Sequence, residues 1–95
     1  MTELEKRLAE GAEGPKITLE QVEDTIASCM FSRPEGTNMT LCVARLKNGY
    51  TVTGESACVS AENFDEELGA QMAYRKALDK IWGLEGYRLA CELSK

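Results

Sequence analysis

The sequence predicts an α+β domain, with an antiparallel β-hairpin or small sheet packed with two main helices, and three observations predict it. A capping-box start at Thr18 opens a run of apolar residues at helical spacing. Between Met39 and Ala57 the spacing changes to two, around the hairpin signal Asn48-Gly49. From Phe64 to Trp82 a helical period returns, with acids at its start and lysines toward its end. A chain of 95 residues suffices for one such domain and leaves no room for two lobes.

Residues 1–16 read as an acidic arm or tail ahead of a single domain over 17–95. Thr2 and Glu5 offer a weak helix start there, Gly11 stops it, and Leu4, Leu8 and Ala9 give it little to bury. In the first main helix Thr18 caps, Gln21 stands at the third helical position, and Ile17 staples onto Val22. Leu19, Val22, Ile26, Cys29 and Met30 follow one stripe, so this helix is expected to reach about Met30 before Ser32-Arg33-Pro34-Glu35-Gly36 ends it. In the hairpin, a two-residue type I′ turn at Asn48-Gly49 sets Arg45 opposite Val52 and Val43 opposite Gly54. Gly54 interrupts an apolar face, which suits a bulge or the close approach of another group, and a bulge is the commoner use.

In the second helix Asn63 or Asp65 caps, while Glu66 and Glu67 favour the positive end of the macrodipole. Its apolar residues cover two sides. Phe64, Leu68, Met72, Leu78 and Trp82 lie on one, and Ala70, Ala73, Tyr74, Ala77 and Ile81 on nearly the other. A helix asking for burial on two sides in so short a chain points to a subunit contact, hence a homo-oligomer, a dimer or a larger ring such as a hexamer. Gly83 and Gly86 are expected to break the helix and leave Tyr87–Cys91 as a short last element.

Eleven cationic against sixteen anionic side chains give a net charge of −5 and no extended basic face, so long nucleic acid is not an expected partner. The longest apolar run, Leu41–Ala44, falls far short of the roughly 20 residues a bilayer crossing needs. The opening Met-Thr-Glu-Leu-Glu-Lys-Arg is not a secretory signal, and a soluble, cytoplasmic protein is expected. Cys29, Cys42, Cys58 and Cys91 lack metal-ligand spacing and the chain has no histidine, so no metal and no cofactor are expected and the thiols read as reduced packing groups. The missing histidine also removes the usual general base, which argues against an enzyme. Glu62, Asp65, Glu66 and Glu67 read as helix-start acids rather than catalytic carboxylates, and Ser56 and Cys58 have no base to activate them. A small anion remains possible chemistry, because a few arginines beside aromatic rings can grip a phosphate and stack on a base.

Three blocks carry a resemblance. They are Val52-Thr53-Gly54-Glu55-Ser56-Ala57-Cys58-Val59, then Asn63-Phe64-Asp65, then Ile81-Trp82-Gly83-Leu84-Glu85-Gly86-Tyr87. Together they resemble the small phage and prophage family named for gene products 49 and 66 of two coliphages, over about residues 18–90. The chain is also similar to the first type of Thoeris anti-defence proteins. These are oligomeric sponges for cyclic ADP-ribose isomers made by TIR enzymes, and some also hold cyclic oligonucleotides of CBASS immunity. The resemblance implies a phage anti-defence protein acting in the cytoplasm of an infected bacterium, with a small anionic nucleotide as ligand, bound and not degraded. On that reading Arg75 and Arg88 hold phosphates, Phe64 or Tyr87 stacks on a base, and Asn63 reads a base or ribose edge. The alternative is a small structural or regulatory phage protein that binds a host protein through its acidic face.

Overall fold

The computed structural model describes residues 16–60, 62 and 65–95. Apart from Lys16, the expected arm over 1–16 lies outside the described residues, as do Asn63 and Phe64. The elements are α1 (Leu19–Asp24), β1 (Ile26–Ser32), β2 (Met39–Leu46), β3 (Thr51–Ala57) and α2 (Glu66–Leu93). The strands form an antiparallel sheet in the order β1-β2-β3, and α2 lies across the face made by β2 and β3. The α+β architecture is as expected, with three corrections inside it.

The first concerns α1. Its start is as read: the Thr18 hydroxyl accepts from Gln21 N at 3.2 Å, and Gln21 Oε1 accepts from Thr18 N at 2.9 Å. The helix ends at Asp24, however, where the Thr25 hydroxyl donates to the Val22 carbonyl at 2.7 Å, and the chain turns into β1. Ile26 and Cys29 do share a face, as their spacing of three suggested, but a register shift supplies that spacing. Ile26 pairs with Leu46, Ser28 with Arg45 and Cys29 with Ala44, so one extra residue near Ala27 brings Ile26 and Cys29 onto the core side together.

The second concerns the hairpin. Only Gly49 has positive φ, at 91°, whereas a type I′ turn needs it at both central residues. Gly49 N donates to Leu46 O at 2.9 Å and Leu46 N to Tyr50 O at 2.8 Å, which closes a three-residue loop with a left-handed glycine. The register therefore moves by one, with Ala44 opposite Val52 and Cys42 opposite Gly54. Such a step changes which residues share a face. Cys42, Ala44, Leu46, Val52, Gly54 and Ser56 point at α2 and are buried, while Val43, Arg45, Thr51 and Thr53 lie on the uncovered side.

The third concerns α2, which runs without a break through Gly83 and Gly86 to Leu93. Asp65 caps it, accepting from Leu68 N at 3.1 Å. An interior glycine costs about 1 kcal/mol relative to alanine, too little to end a helix whose neighbours are good formers and which contains no proline. The last buried residue is Ile81, so Trp82–Leu93 extends about 18 Å further at 1.5 Å per residue.

Gly54 is not a bulge but a point of contact. A Cβ there would collide with Ala73 O, stand 2.5 Å from Ala77 N and 3.1 Å from Ala77 Cα. One turn earlier, a Cβ on Gly69 would stand 2.6 Å from Thr40 Oγ1, and the Ser56 hydroxyl donates to the Gly69 carbonyl at 2.9 Å. Gly69, Ala73 and Ala77, four residues apart, thus seat α2 on the strand pairs Thr40–Ser56, Cys42–Gly54 and Ala44–Val52. Gly54→Ala is expected to destabilise the protein by about 3 kcal/mol, the upper range for overpacking, because backbone and not a movable side chain is in the way. Thr53→Ala, on the uncovered face, should cost about 1 kcal/mol or less. Urea midpoints at equal slope measure both.

Candidate functional site

A groove of about 380 Å³ runs where α1 meets α2, lined by Leu19 and Glu23 from α1 and by Gln71, Tyr74, Arg75, Leu78, Asp79 and Trp82 from α2. Its shape follows from the capping box, which orients α1, and from the Tyr74 hydroxyl, which donates to Glu23 Oε2 at 2.9 Å and ties the two helices together. Arg75 and Trp82 are seven residues apart on α2 and therefore in line, one above the other. The Trp82 ring is 38% exposed. Among the described residues the Arg75 guanidinium has no hydrogen-bond or ion-pair partner. An exposed cationic fork and an indole about 10 Å apart along one groove make a surface for an anion carrying a flat ring. The Glu23 and Asp79 carboxylates in the same groove can accept from hydroxyl or ring N–H groups.

In the core and the groove, two groups titrate away from their ordinary values. Burial, followed by the hydrogen bond to Glu23 and that residue's charge, pushes the Tyr74 phenol up to about 12. Burial, followed by the charge and hydrogen bond of Cys29, pushes the Cys42 thiol up to about 11. Neither is poised to act as a base or nucleophile near neutrality.

The residues singled out in the sequence do not meet in one chain. Arg75 lies in the groove. Tyr87, 74% exposed, and Arg88 stand on the projecting end of α2. Thirteen residues separate the two arginines, about 20 Å along the axis and about 140° around it. Arg88 donates through Nε and Nη2 to Glu85 Oε2 at 3.1 and 2.8 Å, and that carboxylate raises the guanidinium pKa further. Asn63 and Phe64 lie outside the described residues. The sequence reading places Trp82 and Tyr74 only among the apolar residues of the helix; the seven-residue spacing from Arg75 to Trp82 is the signal that could have found the pair. Arg33 is held by Thr37 O at 2.9 Å and Asn38 Oδ1 at 3.2 Å beside the half-exposed Phe31, and Arg45 Nε reaches Ser28 Oγ at 3.5 Å. Among the described residues no three His, Cys, Asp or Glu side chains are grouped to hold a metal, and no helix is long and apolar enough to cross a membrane.

A family model described as "Phage protein (N4 Gp49/phage Sf6 gene 66) family" matches residues 17–93. The chain belongs to that family. Membership in this phage family covers both the groove and the projecting end of α2. Comparison with curated proteins and with solved structures gives no significant match.

Tyr74 is expected to ionise near 12 in an alkaline absorbance titration, and Tyr74→Phe should remove that step. Because its folded pKa exceeds the unfolded value of about 10, its contribution to stability is complete below pH 10 and is lost as pH rises through 12. With a maleimide at pH 8, the exposed Cys91 should react promptly and the buried Cys42 only on unfolding.

Proposed function

We propose that this phage-family protein binds a cyclic nucleotide immune signal and holds it without degrading it, the class being cyclic ADP-ribose isomers made by TIR enzymes and, at further sites, CBASS cyclic oligonucleotides. The observation that carries the reading is Arg75, exposed and unpartnered among the described residues, in line with the Trp82 ring in a groove within the usual size range for small-ligand sites, about 300–1,000 Å³. Arg75 takes a phosphate, Trp82 stacks on the base, and Asp79 or Glu23 accepts from ribose or ring donors. Family membership supports the phage context, and the sequence resemblance supplies the ligand class.

Sequestration asks only for affinity. The titratable groups of the groove suit binding better than turnover: Tyr74 is committed to Glu23 and held protonated to about 12, and no histidine occurs in the chain. Tyr87 and Arg88 stand too far from Arg75 to share a ligand within one chain, so they serve either a separate site or one completed by another copy of a homo-oligomer. In this reading the protein works in the cytoplasm of the infected cell, where the signal is made.

Calorimetry with cyclic ADP-ribose isomers and with cyclic di- and trinucleotides tests the proposal. Saturable heat is expected with at least one of them, and mass spectrometry after heat denaturation should recover that ligand intact. Arg75→Ala should weaken binding about ten- to a hundredfold, the value of a charge-assisted hydrogen bond at about 1.5–3 kcal/mol. Absence of heat with every nucleotide at tens of micromolar protein removes the proposal, and a cleaved product replaces it with an enzyme.

A further inference from the structure

We infer that the free edge of β3 takes an extended peptide as a fourth strand, with an acidic side chain of that peptide seated against Lys80 of α2. This surface stands apart from the Arg75 groove and depends on no nucleotide. Its backbone parity is fixed at both ends of the β2–β3 ladder. Leu46 N donates to Tyr50 O at 2.8 Å, and Cys58 N donates to Asn38 O at 3.0 Å. Bonded and non-bonded pairs alternate along an antiparallel ladder, so Ala44–Val52, Cys42–Gly54 and Thr40–Ser56 are the pairs that bond to each other. Thr51, Thr53 and Glu55 therefore turn both N–H and C=O away from β2. The strand order ends at β3, and among the described residues no other group bonds to those edge positions. A row of donors and acceptors at two-residue spacing is matched by another extended backbone.

The two edges of the sheet differ. β1 is interrupted by the register shift between Ile26 and Ser28, which spoils it as a template. β3 pairs without a shift from Thr51 to Ala57 and holds no proline or lysine, the residues that commonly block an edge. Beside it runs a groove of about 420 Å³, between residues 50–53 on one side and Lys80, Gly83 and Leu84 of α2 on the other. Tyr50 is 58% exposed and Leu84 44%. A Cβ on Gly83 would meet nothing within 4 Å, so the groove stays open between Lys80 and Leu84.

Register then assigns the chemistry of the occupant. On an added strand, the residues opposite Thr51, Thr53 and Glu55 make the backbone bonds, and their side chains lie on the uncovered side of the sheet. The residue opposite Val52 points toward α2 and enters the groove. No carboxylate lines that groove, and among the described residues Lys80 has no ion-pair partner. A glutamate at this position lays its methylenes along Leu84 and offers its carboxylate to Lys80. Opposite Glu55, a lysine makes a cross-strand pair of opposite charge. In an antiparallel peptide the two requirements read as a lysine followed three residues later by a glutamate.

The probe is the peptide acetyl-Thr-Lys-Val-Thr-Glu-Thr-amide, titrated into isotope-labelled full-length protein and followed by amide NMR. Saturable shifts by about 1 mM peptide, centred on residues 51–55 and 80–84, are expected, with slower amide exchange at Thr53 and Glu55. N-methylation of the peptide's fourth residue, whose N–H faces Thr53, should weaken binding about tenfold. N-methylation of its third residue, whose N–H faces away from β3, should change binding less than about twofold. Equal effects of the two overturn strand addition. Lys80 is exposed, so Lys80→Glu should fold normally by circular dichroism while preferring a peptide with lysine in place of the glutamate; an unchanged preference overturns the proposal. No shifts at 1 mM peptide, or shifts centred on Arg75 and Trp82, also overturn it. So does slow exchange at Thr53 and Glu55 in the protein alone, which would show the edge already filled by residues 1–15 or by a second copy.

Discussion

Between Gly54 of β3 and the Ala73–Ala77 turn of α2 there is no side-chain layer: backbone meets backbone. That contact sets the height at which the helix lies over the sheet. At that height only small groups fit under its centre, so Ala73, Ala77, Cys42 and Ala44 are completely buried and Ser56 reaches the helix backbone directly through its hydroxyl. Larger aliphatics enter only around this central patch: Val22 from α1, Leu46 and Val52 from the sheet, and Leu78 and Ile81 from α2. The core is correspondingly thin. Fully burying a large aliphatic side chain contributes about 1.5–3 kcal/mol, and much of that resource lies outside, on the far side of α2 and along its projecting end.

Much of this was legible in the sequence because it depends on local chemistry. The Thr18–Gln21 box, the Asp65 cap, the place of the hairpin and the two-sided character of α2 all arise from neighbours within one or two turns. β1 was not legible, and its disguise is physical. An extra residue near Ala27 makes Ile26 and Cys29 core-facing at a spacing of three, which is also the signature of a helix. Asn48-Gly49 announced a turn but not its type, because Asn48 keeps negative φ and the loop takes in Lys47 as well. Gly54 illustrates the general limit: a strand glycine is the same letter whether it bends the strand or admits a helix, and only the tertiary neighbour distinguishes the two.

The site was legible residue by residue but not as an arrangement. Arg75 was chosen for its chemistry and does face a groove. Tyr87 and Arg88 were chosen as a short element after a break; with the helix continuous, their position is fixed about 20 Å from Arg75 and turned toward a different side. Trp82 was read only as one of the apolar residues of the helix. Its exposure follows from its place on the side of α2 turned away from the Gly69–Ala73–Ala77 line that rests on the sheet.

Affinity considerations tie the groove to the rest of α2. A charge-assisted hydrogen bond contributes about 1.5–3 kcal/mol and stacking on one aromatic ring about 1–3 kcal/mol. Together they reach about 2.5–6 kcal/mol, whereas a nanomolar complex requires about 12 kcal/mol. A messenger that activates its effector at low concentration is held only by a binder well below that concentration, so one arginine and one indole on an open groove are not enough. The deficit is met by excluding water, which strengthens each polar contact, and by bringing further donors to the ligand. Among the described residues, the Tyr87–Arg88 pair lies along the same rigid helix and cannot fold back to Arg75, and Arg33 is held by Thr37 and Asn38. On the sequestration reading, tight capture therefore asks for further groups at Arg75, on a side of α2 where Leu68, Met72 and Trp82 are exposed among the described residues.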